Sequence, residues 1–444
     1  MLKAVTTVCV RGFERYLPDP FVIVLIMTGI VLLAGIVGEG QSAADMLVWW
    51  REGFWELLSF AMQMTLILVL GYTLARTPLV ARAIAFVTGL ARSPGSAIVI
   101  VTLVSLFASW INWGFGLVVG AILGREMARR VPGLDYRLLI ASAYSGFLIW
   151  HGGLSASIPL IIASPGHFLE GAMGVVSTER TIFSPFNLLL TAALVVVIPL
   201  TNRLLLTTID KPVTISPELL AQDEDASRPE RRDETGPLRP AERLEGTAVL
   251  PVLAVLAAVA ALAAVVSAGG FVFDLNTVNF ALLFLALALH GSVKRFATVF
   301  SEGVSNASGI LIQFPFYAGI MGMMGASGLT DSISLFFTQV ASAQTLPFLT
   351  FLAAGFVNIL VPSGGGQWAV QGPVMVEAAN ALDADVARVA LAVAWGEAWT
   401  NMIQPFWALP ALAIAGLKAA DVMGFCVLVL LSSGLVMGAA FLLF

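Results

Sequence analysis

Val361-Pro362-Ser363-Gly364-Gly365-Gly366-Gln367-Trp368 places a proline, three consecutive glycines and polar side chains inside one of the most apolar regions of this 444-residue chain. Residues 346–361 before it (LPFLTFLAAGFVNILV) are apolar enough to enter a bilayer, and residues 368–382 after it are again mostly apolar. Hydrocarbon cannot satisfy free N–H and C=O groups. Unwound backbone at membrane depth therefore survives only where protein buries it or where it lines a watery cavity. The stretch reads as a binding-site hairpin or a broken helix, and that reading sets the class of the whole chain.

Composition agrees. The chain is 58% hydrophobic and 11% charged, with mean hydropathy +0.92, well outside soluble globular proteins. A span needs roughly 20 apolar residues, and 20–38, 54–75, 186–206, 247–267 and 421–444 qualify outright. Residues 95–124, 137–164, 302–328, 346–373 and 386–417 are apolar but interrupted. Together they predict about ten to twelve membrane segments, some of them re-entrant. Barrel strands would show short alternating segments instead, so the expected fold is an all-α polytopic membrane protein. Cys9 and Cys426 offer no disulfide framework or metal spacing, and no metal-ligand cluster or basic face for nucleic acid is present in the sequence. The N-terminal arm has no small-residue cleavage site of the kind that marks a secretory peptide, so the first helix is expected to stay.

Residues 207–246 hold six basic and ten acidic residues with five prolines, a composition that buries too little apolar area to order itself. They divide the chain into an N-terminal membrane repeat (1–206), a charged linker and a C-terminal repeat (247–444), in which 247–267 is an extra crossing. Lys3, Arg11 and Arg15, the arginines of 76–92 and 125–137, and Lys294-Arg295 mark cytoplasmic segments by the positive-inside rule. The linker falls on the same side. Segments 39–50, 166–179 and 268–276 carry acids but no Lys or Arg and fit the outside.

Sliding the sequence by 250 positions sets Glu52-Gly53 on Glu302-Gly303, Gln63 on Gln313, Gly116 on Gly366, Asp135 on Asp385 and Gly166 on Gly416. Asn112 meets Asn358 with a four-residue gap. The interruptions coincide as well, with 112–116 facing 358–367 and 150–159 facing 400–410. Under the charge rule, helix 20–38 and its counterpart 270–289 run in opposite directions. The halves thus predict two inverted-topology repeats with broken helices and re-entrant hairpins, an arrangement characteristic of secondary transporters.

Four interrupted segments hold most polar side chains at membrane depth. In 109–116, Asn112 offers an amide, while Gly114 and Gly116 admit close backbone approach; helix packing through small residues is the competing role. In 145–159, Gly152-Gly153 and Pro159 break the helix and Ser155 and Ser157 supply hydroxyls, which can also bond back to their own helix. In 358–371, Asn358 precedes Ser363, Gly364, Gly365, Gly366 and Gln367, whose amides at the start of a half-helix, with glycine free to take positive φ, suit a carboxylate. In 394–410, Glu397 is an intramembrane acid of the kind that marks ion pathways. Asn401 lies one turn on and Gln404 just beyond; Gln313, before Phe314-Pro315, is a further ion-coupling candidate. His151 beside Gly152-Gly153 can carry a proton, but no acid near it in sequence orients it. Trp395, Trp399 and Trp407 read as packing or cavity walls.

LPDP (17–20), NWGFGLVVGAILGREMARRVPG (112–133), ILIQFPFYAGI (310–320), VPSGGGQWAVQGP (361–373) and NMIQPFWALPALAIAG (401–416) resemble the bacterial short-chain fatty acid transporter family across nearly the whole chain. The resemblance implies a permease of the cytoplasmic (inner) membrane for small monocarboxylates such as acetoacetate or butyrate. His151 departs from the family pattern, in which a glycine commonly stands there. A symporter coupled to H+ or Na+ follows, with no other cofactor, and a homo-oligomer is compatible with it. The alternatives are a symporter of another small organic anion such as a dicarboxylate, an anion channel, or an intramembrane enzyme. The last lacks an arranged base for Ser145, Ser155 or Ser157.

Overall fold

A computed structural model describes residues 18–209, 211–216, 239–305 and 307–444. The basic N-terminal arm, Cys9 and most of the 207–246 linker lie outside them. The first half runs α1 (Pro20–Gly38), α2 (Ala43–Gly53), α3 (Leu58–Ala75), α4 (Pro78–Thr88), α5 (Pro94–Ile111), α6 (Trp113–Arg130), α7 (Tyr136–Ser145) continuing as a 3₁₀ stretch (Gly146–Gly152), α8 (Ser157–Ala163) and α9 (Pro185–Leu205). After α10 (Val249–Ser267), the second half runs α11 (Leu275–His290), α12 (Val293–Ser305), α13 (Ser308–Ser327), α14 (Leu329–Val340), α15 (Leu346–Leu360), α16 (Gly364–Ala381), α17 (Val386–Thr400) with a 3₁₀ turn (Asn401–Ile403), α18 (Pro405–Ala415) and α19 (Ala419–Leu443). The described residues contain no strand, and eight of their helical segments are long and apolar enough to cross a bilayer.

Local chemistry sets the boundaries. Ser42, Thr77, Ser93, Asp135, Ser184 and Asp274 each accept a backbone N–H from the first turn of the helix they precede, which satisfies an otherwise orphaned donor. Gly291, Gly328 and Gly416 close α11, α13 and α18 in the left-handed region, where a Cβ would be strained. Several buried hydroxyls inside the apolar helices, those of Thr73, Thr102, Ser142 and Ser433 among them, bond back to the carbonyl one turn earlier, which satisfies them within their own helix.

The halves match element by element. Helices α12, α13 and α17 begin 250 positions after α2, α3 and α7, and Asp135 and Asp385 are the N-caps of α7 and α17. Packing is reciprocal too. Helices α1 and α2 lie against α13, while α11 and α12 lie against α3. The core holds α7, α8 and the 3₁₀ stretch between them, together with α16 and α17, nearly all of whose residues are buried. Helix α10 is almost wholly exposed and apolar, a side that suits lipid rather than water.

Two expectations need correction. Residues 302–328 are not one interrupted span: the break separates α12, amphipathic and largely exposed, from α13, which is continuous through Pro315. Nor is Asn358 the counterpart of Asn112. Asn112 is the one-residue joint between α5 and α6, and the residue that caps the matching helix α16 is Ser363. Asn358 sits inside α15, one turn before the second break.

Candidate functional site

The four broken segments converge. A small cavity is lined by Trp113 at the start of α6, by Phe147 and Trp150 of the 3₁₀ stretch, by Ser363, Gly364 and Gly365 at the start of α16, and by Trp407 of α18. Met64 of α3 and Ile310 and Phe314 of α13 complete it. The aromatic wall is continuous, with ring centroids 5.2 Å apart for Trp113 and Trp407, 5.9 Å for Trp113 and Trp150, and 5.6 Å for the stacked Phe147 and Trp150.

Helix α16 presents its first turn to this cavity. Ser363 Oγ accepts from Gly366 N (3.3 Å) and Ser363 O accepts from Gln367 N (2.6 Å). The amides of Gly364 and Gly365 precede them, at positions that have no intrahelical acceptor. None of the three glycines has positive φ, contrary to the sequence expectation; they are small because neighbours leave no room. A Cβ on Gly364 would stand 2.6 Å from His151 Nε2 and Ser157 Oγ, one on Gly365 2.3 Å from the Phe60 ring, and one on Gly366 2.6 Å from the Tyr317 ring.

The first break is built differently. Asn112 Oδ1 accepts from Phe115 N (2.9 Å) and its Nδ2 donates to Ile67 O (3.1 Å). Ser155 Oγ accepts from Trp113 N (3.0 Å). The protein's own groups thus hold the start of α6, whereas the matching end of α16 faces the cavity. Gly114 lies tightly under the Leu68 carbonyl, and Gly116 lies on Ser109, too close for a side chain. Trp113 Nε1 is buried without a partner on a ring that lines the cavity, so a donor is available there.

Behind the cavity wall lies a second polar cluster. His151 stacks on Trp150 with centroids 3.6 Å apart, and its Nδ1 lies 2.6 Å from Ala394 O and 3.4 Å from Glu397 Oε2, both on α17. Its Nε2 is 2.8 Å from Ser157 Oγ. Asn358 Nδ2 donates to Glu397 O, Thr400 Oγ1 and Asn401 Oδ1 at 2.8–3.0 Å. Tyr144 donates to the carbonyls of Asn401 and Gln404, and Gln404 Nε2 reaches Ile359 O (3.4 Å). Gln367 Nε2 donates to Ala354 O and Gln371 Oε1. Gln313 Oε1 accepts from Tyr317, whose ring packs on Gly366.

Serine and glycine from the second break therefore touch the cavity directly, while Asn112, Gly114, Gly116, Ser155, Asn358 and Gln367 shape the backbone around it. Ser157, Glu397 and Asn401 belong to the cluster behind Trp150. Sequence reading passed over three features. Trp113 and Trp150 adjoin the breaks at Asn112 and Gly152 and were legible from that position. The acid beside His151 was not, because it comes from the other half. Trp395 and Trp399 bond Asn187 Oδ1 and Leu430 O, away from the cavity wall.

Comparison with known proteins gives the family. The chain matches the short chain fatty acid transporter family over residues 1–444. It is 42% identical over 436 residues to a protein of Escherichia coli (strain K12), covering 98% of both chains, and 38% identical over 438 residues to one of Haemophilus influenzae, covering 97% of both; each is provisionally named a short-chain fatty acid transporter. The fold is similar to that of the Alcanivorax borkumensis YdaH transporter, whose crystal structure has an unusual topology (TM-score 0.59, 14% identity, 95% of this chain and 98% of that one). With helical spans throughout and relatives of this identity over their full length, the chain belongs to the short-chain fatty acid transporter family and is a membrane transporter rather than an enzyme.

Proposed function

We propose that this protein is a symporter that takes up small monocarboxylates such as butyrate or acetoacetate across the bacterial inner membrane, with H+ or Na+ as the coupling ion. One observation carries the reading: Gly364 and Gly365 at the N-terminus of α16, and Trp113 with its unpartnered indole N–H, line the same aromatic-walled cavity. Amides at a helix N-terminus attract an anion without a buried cation, and the indole and phenyl faces accept a short apolar tail. Among the described residues, no Lys or Arg lines the cavity. A dicarboxylate would set its second charge against rings and aliphatic side chains, which disfavours that alternative.

Reciprocal packing of the halves, combined with the charge pattern, supports inverted repeats, with α5–α6 and α15–α16 as re-entrant hairpins and the 207–246 linker cytoplasmic. Purified protein in proteoliposomes, offered labelled butyrate or acetoacetate under imposed proton or sodium gradients, tests the reading. Gradient-driven uptake and counterflow against unlabelled substrate are expected, since only alternating access allows a trans substrate gradient to drive uphill movement. Passive equilibration without counterflow would establish a channel instead.

A further inference from the structure

We propose that His151 and Glu397 hold one proton between them and that this is the proton carried with the substrate. The proposal rests on the symporter reading above and names its coupling site. The two side chains come from opposite halves of the chain and are fully buried, 3.4 Å apart. A carbonyl oxygen only accepts, so the 2.6 Å contact with Ala394 O places a hydrogen on His151 Nδ1. Ser157 Oγ then meets Nε2. Neither Glu397 oxygen makes a hydrogen bond of normal geometry; besides His151, only the Asn401 amide and the Trp150 indole approach the carboxyl among the described residues, and no cation does. A bare carboxylate beside neutral imidazole is therefore the costly form, and the neutral acid, or the carboxylate beside imidazolium, is the stable one. Either stable form contains one proton more.

The pair is also placed to sense substrate. Trp150 separates His151 from the cavity, and cavity-lining Gly364 abuts both His151 Nε2 and Ser157 Oγ. A substrate carboxylate at the α16 amides repels a deprotonated pair and tolerates a protonated one. Anion and proton binding are then reciprocally coupled, typically by 5–150-fold. The other groups around the pair are uncharged: Asn401 and the Trp150 indole beside the carboxyl, Ser157 on His151 Nε2, Asn358 on the Glu397 carbonyl, and Tyr144 from α7. Arg388, at the far end of α17, covers the Phe186 ring, and among the described residues no lysine or arginine is buried. One proton enters from outside with one carboxylate and both leave to the cytoplasm, so no net charge moves.

Labelled acetoacetate is a suitable probe. In proteoliposomes, wild-type protein should accumulate it under an inward proton gradient and not under a sodium gradient. Adding unlabelled acetoacetate to detergent-solubilised protein in weakly buffered medium should draw protons from solution, as read by a pH indicator. In Glu397→Gln, accumulation should fall at least about tenfold relative to counterflow, within the usual range of such couplings, and in His151→Gln the pH profile of counterflow should shift. Sodium-driven uptake, absence of proton uptake on binding, or wild-type accumulation and pH profile in both variants would overturn the role of the pair while leaving the transporter reading intact. Wild-type protein that neither binds nor exchanges acetoacetate or butyrate would remove the symporter reading itself.

Discussion

Gly365 shows how space rather than backbone freedom decides a residue type here. Its φ is not in the left-handed region, but a Cβ would lie 2.3 Å from the Phe60 ring. Phe60 in turn packs against Phe314, a wall of the cavity. Overpacking of this kind typically costs about 1–3 kcal/mol, little enough for membrane insertion to survive. Gly365→Val is expected to insert normally and to lose substrate uptake; normal uptake by the inserted variant would exclude this turn from the transport path. Trp113 supplies the complementary test, because Phe keeps an aromatic ring and removes only the N–H. Hydrogen bonds to charged groups contribute about 1.5–3 kcal/mol, so Trp113→Phe should weaken half-saturation in counterflow by roughly ten- to a hundred-fold on the same basis. Its melting temperature should stay unchanged. An unaltered half-saturation would mean that the indole faces no substrate oxygen.

Helices α6 and α16 begin with the same kind of break and end in different chemistry. Ser155 and Asn112 hold the first turn of α6, whereas at α16 Ser363 caps Gly366 and the two glycines that follow the cap line the cavity. Caps elsewhere are plainly structural. Asp135 accepts from Leu138 N (3.0 Å) at the start of α7 and from Val213 N (2.9 Å) in the first part of the linker, and it pairs with Arg137 at 2.8 Å. Burial would raise its carboxyl, yet the Arg137 guanidinium and the two amides hold it below the ordinary carboxylate range. A depressed folded value means stability present above the unfolded value, about 3.9, and lost as pH falls through the folded one. The Val213 amide should therefore keep its hydrogen-exchange protection from neutral pH down to about 4 and lose it only in stronger acid. Asp135→Ala should lose that protection at every pH and about 0.5–2 kcal/mol of stability. Protection that persisted in the variant would show that the segment is held by something other than Asp135.

Reciprocal packing ties the two halves into one body: α1 and α2 lean on α13 as α11 and α12 lean on α3. An arrangement of this kind places Trp113 and Ser363, which stand 250 positions apart, on one cavity. Whether the repeats run in opposite directions across the bilayer has a direct test in Arg92 and Ser342, also 250 positions apart and both exposed. With Cys9 and Cys426 replaced, a membrane-impermeant maleimide should label Ser342→Cys in intact cells and Arg92→Cys only after permeabilisation. Labelling of both from one side would make the repeats parallel and would reassign the outer and inner ends of the path. Helix α10, apolar, mostly exposed and of span length, stands between the two halves.

Much of this was written in one dimension. Apolar runs of span length and the glycine-rich stretch at 363–366 announce helices and breaks, and the 250-position echo recurs in the helix starts, because bilayer thickness and unpaired backbone are constraints that act along the chain. Asp135 and Asp385 could be matched as repeat positions for the same reason. Three things needed the folded molecule. Asn112 and Asn358 looked alike in sequence, but only the packing shows that Ser363 is the residue at the matching joint, since a cap is defined by the amide it accepts from. The three glycines looked like a device for positive φ, and only their neighbours Phe60, Tyr317 and His151 reveal that volume is the limit. His151 and Glu397 lie far apart in sequence, and no local rule pairs them. Their 3.4 Å approach arises where the two halves close on each other, a contact set by the shapes of both and by neither alone.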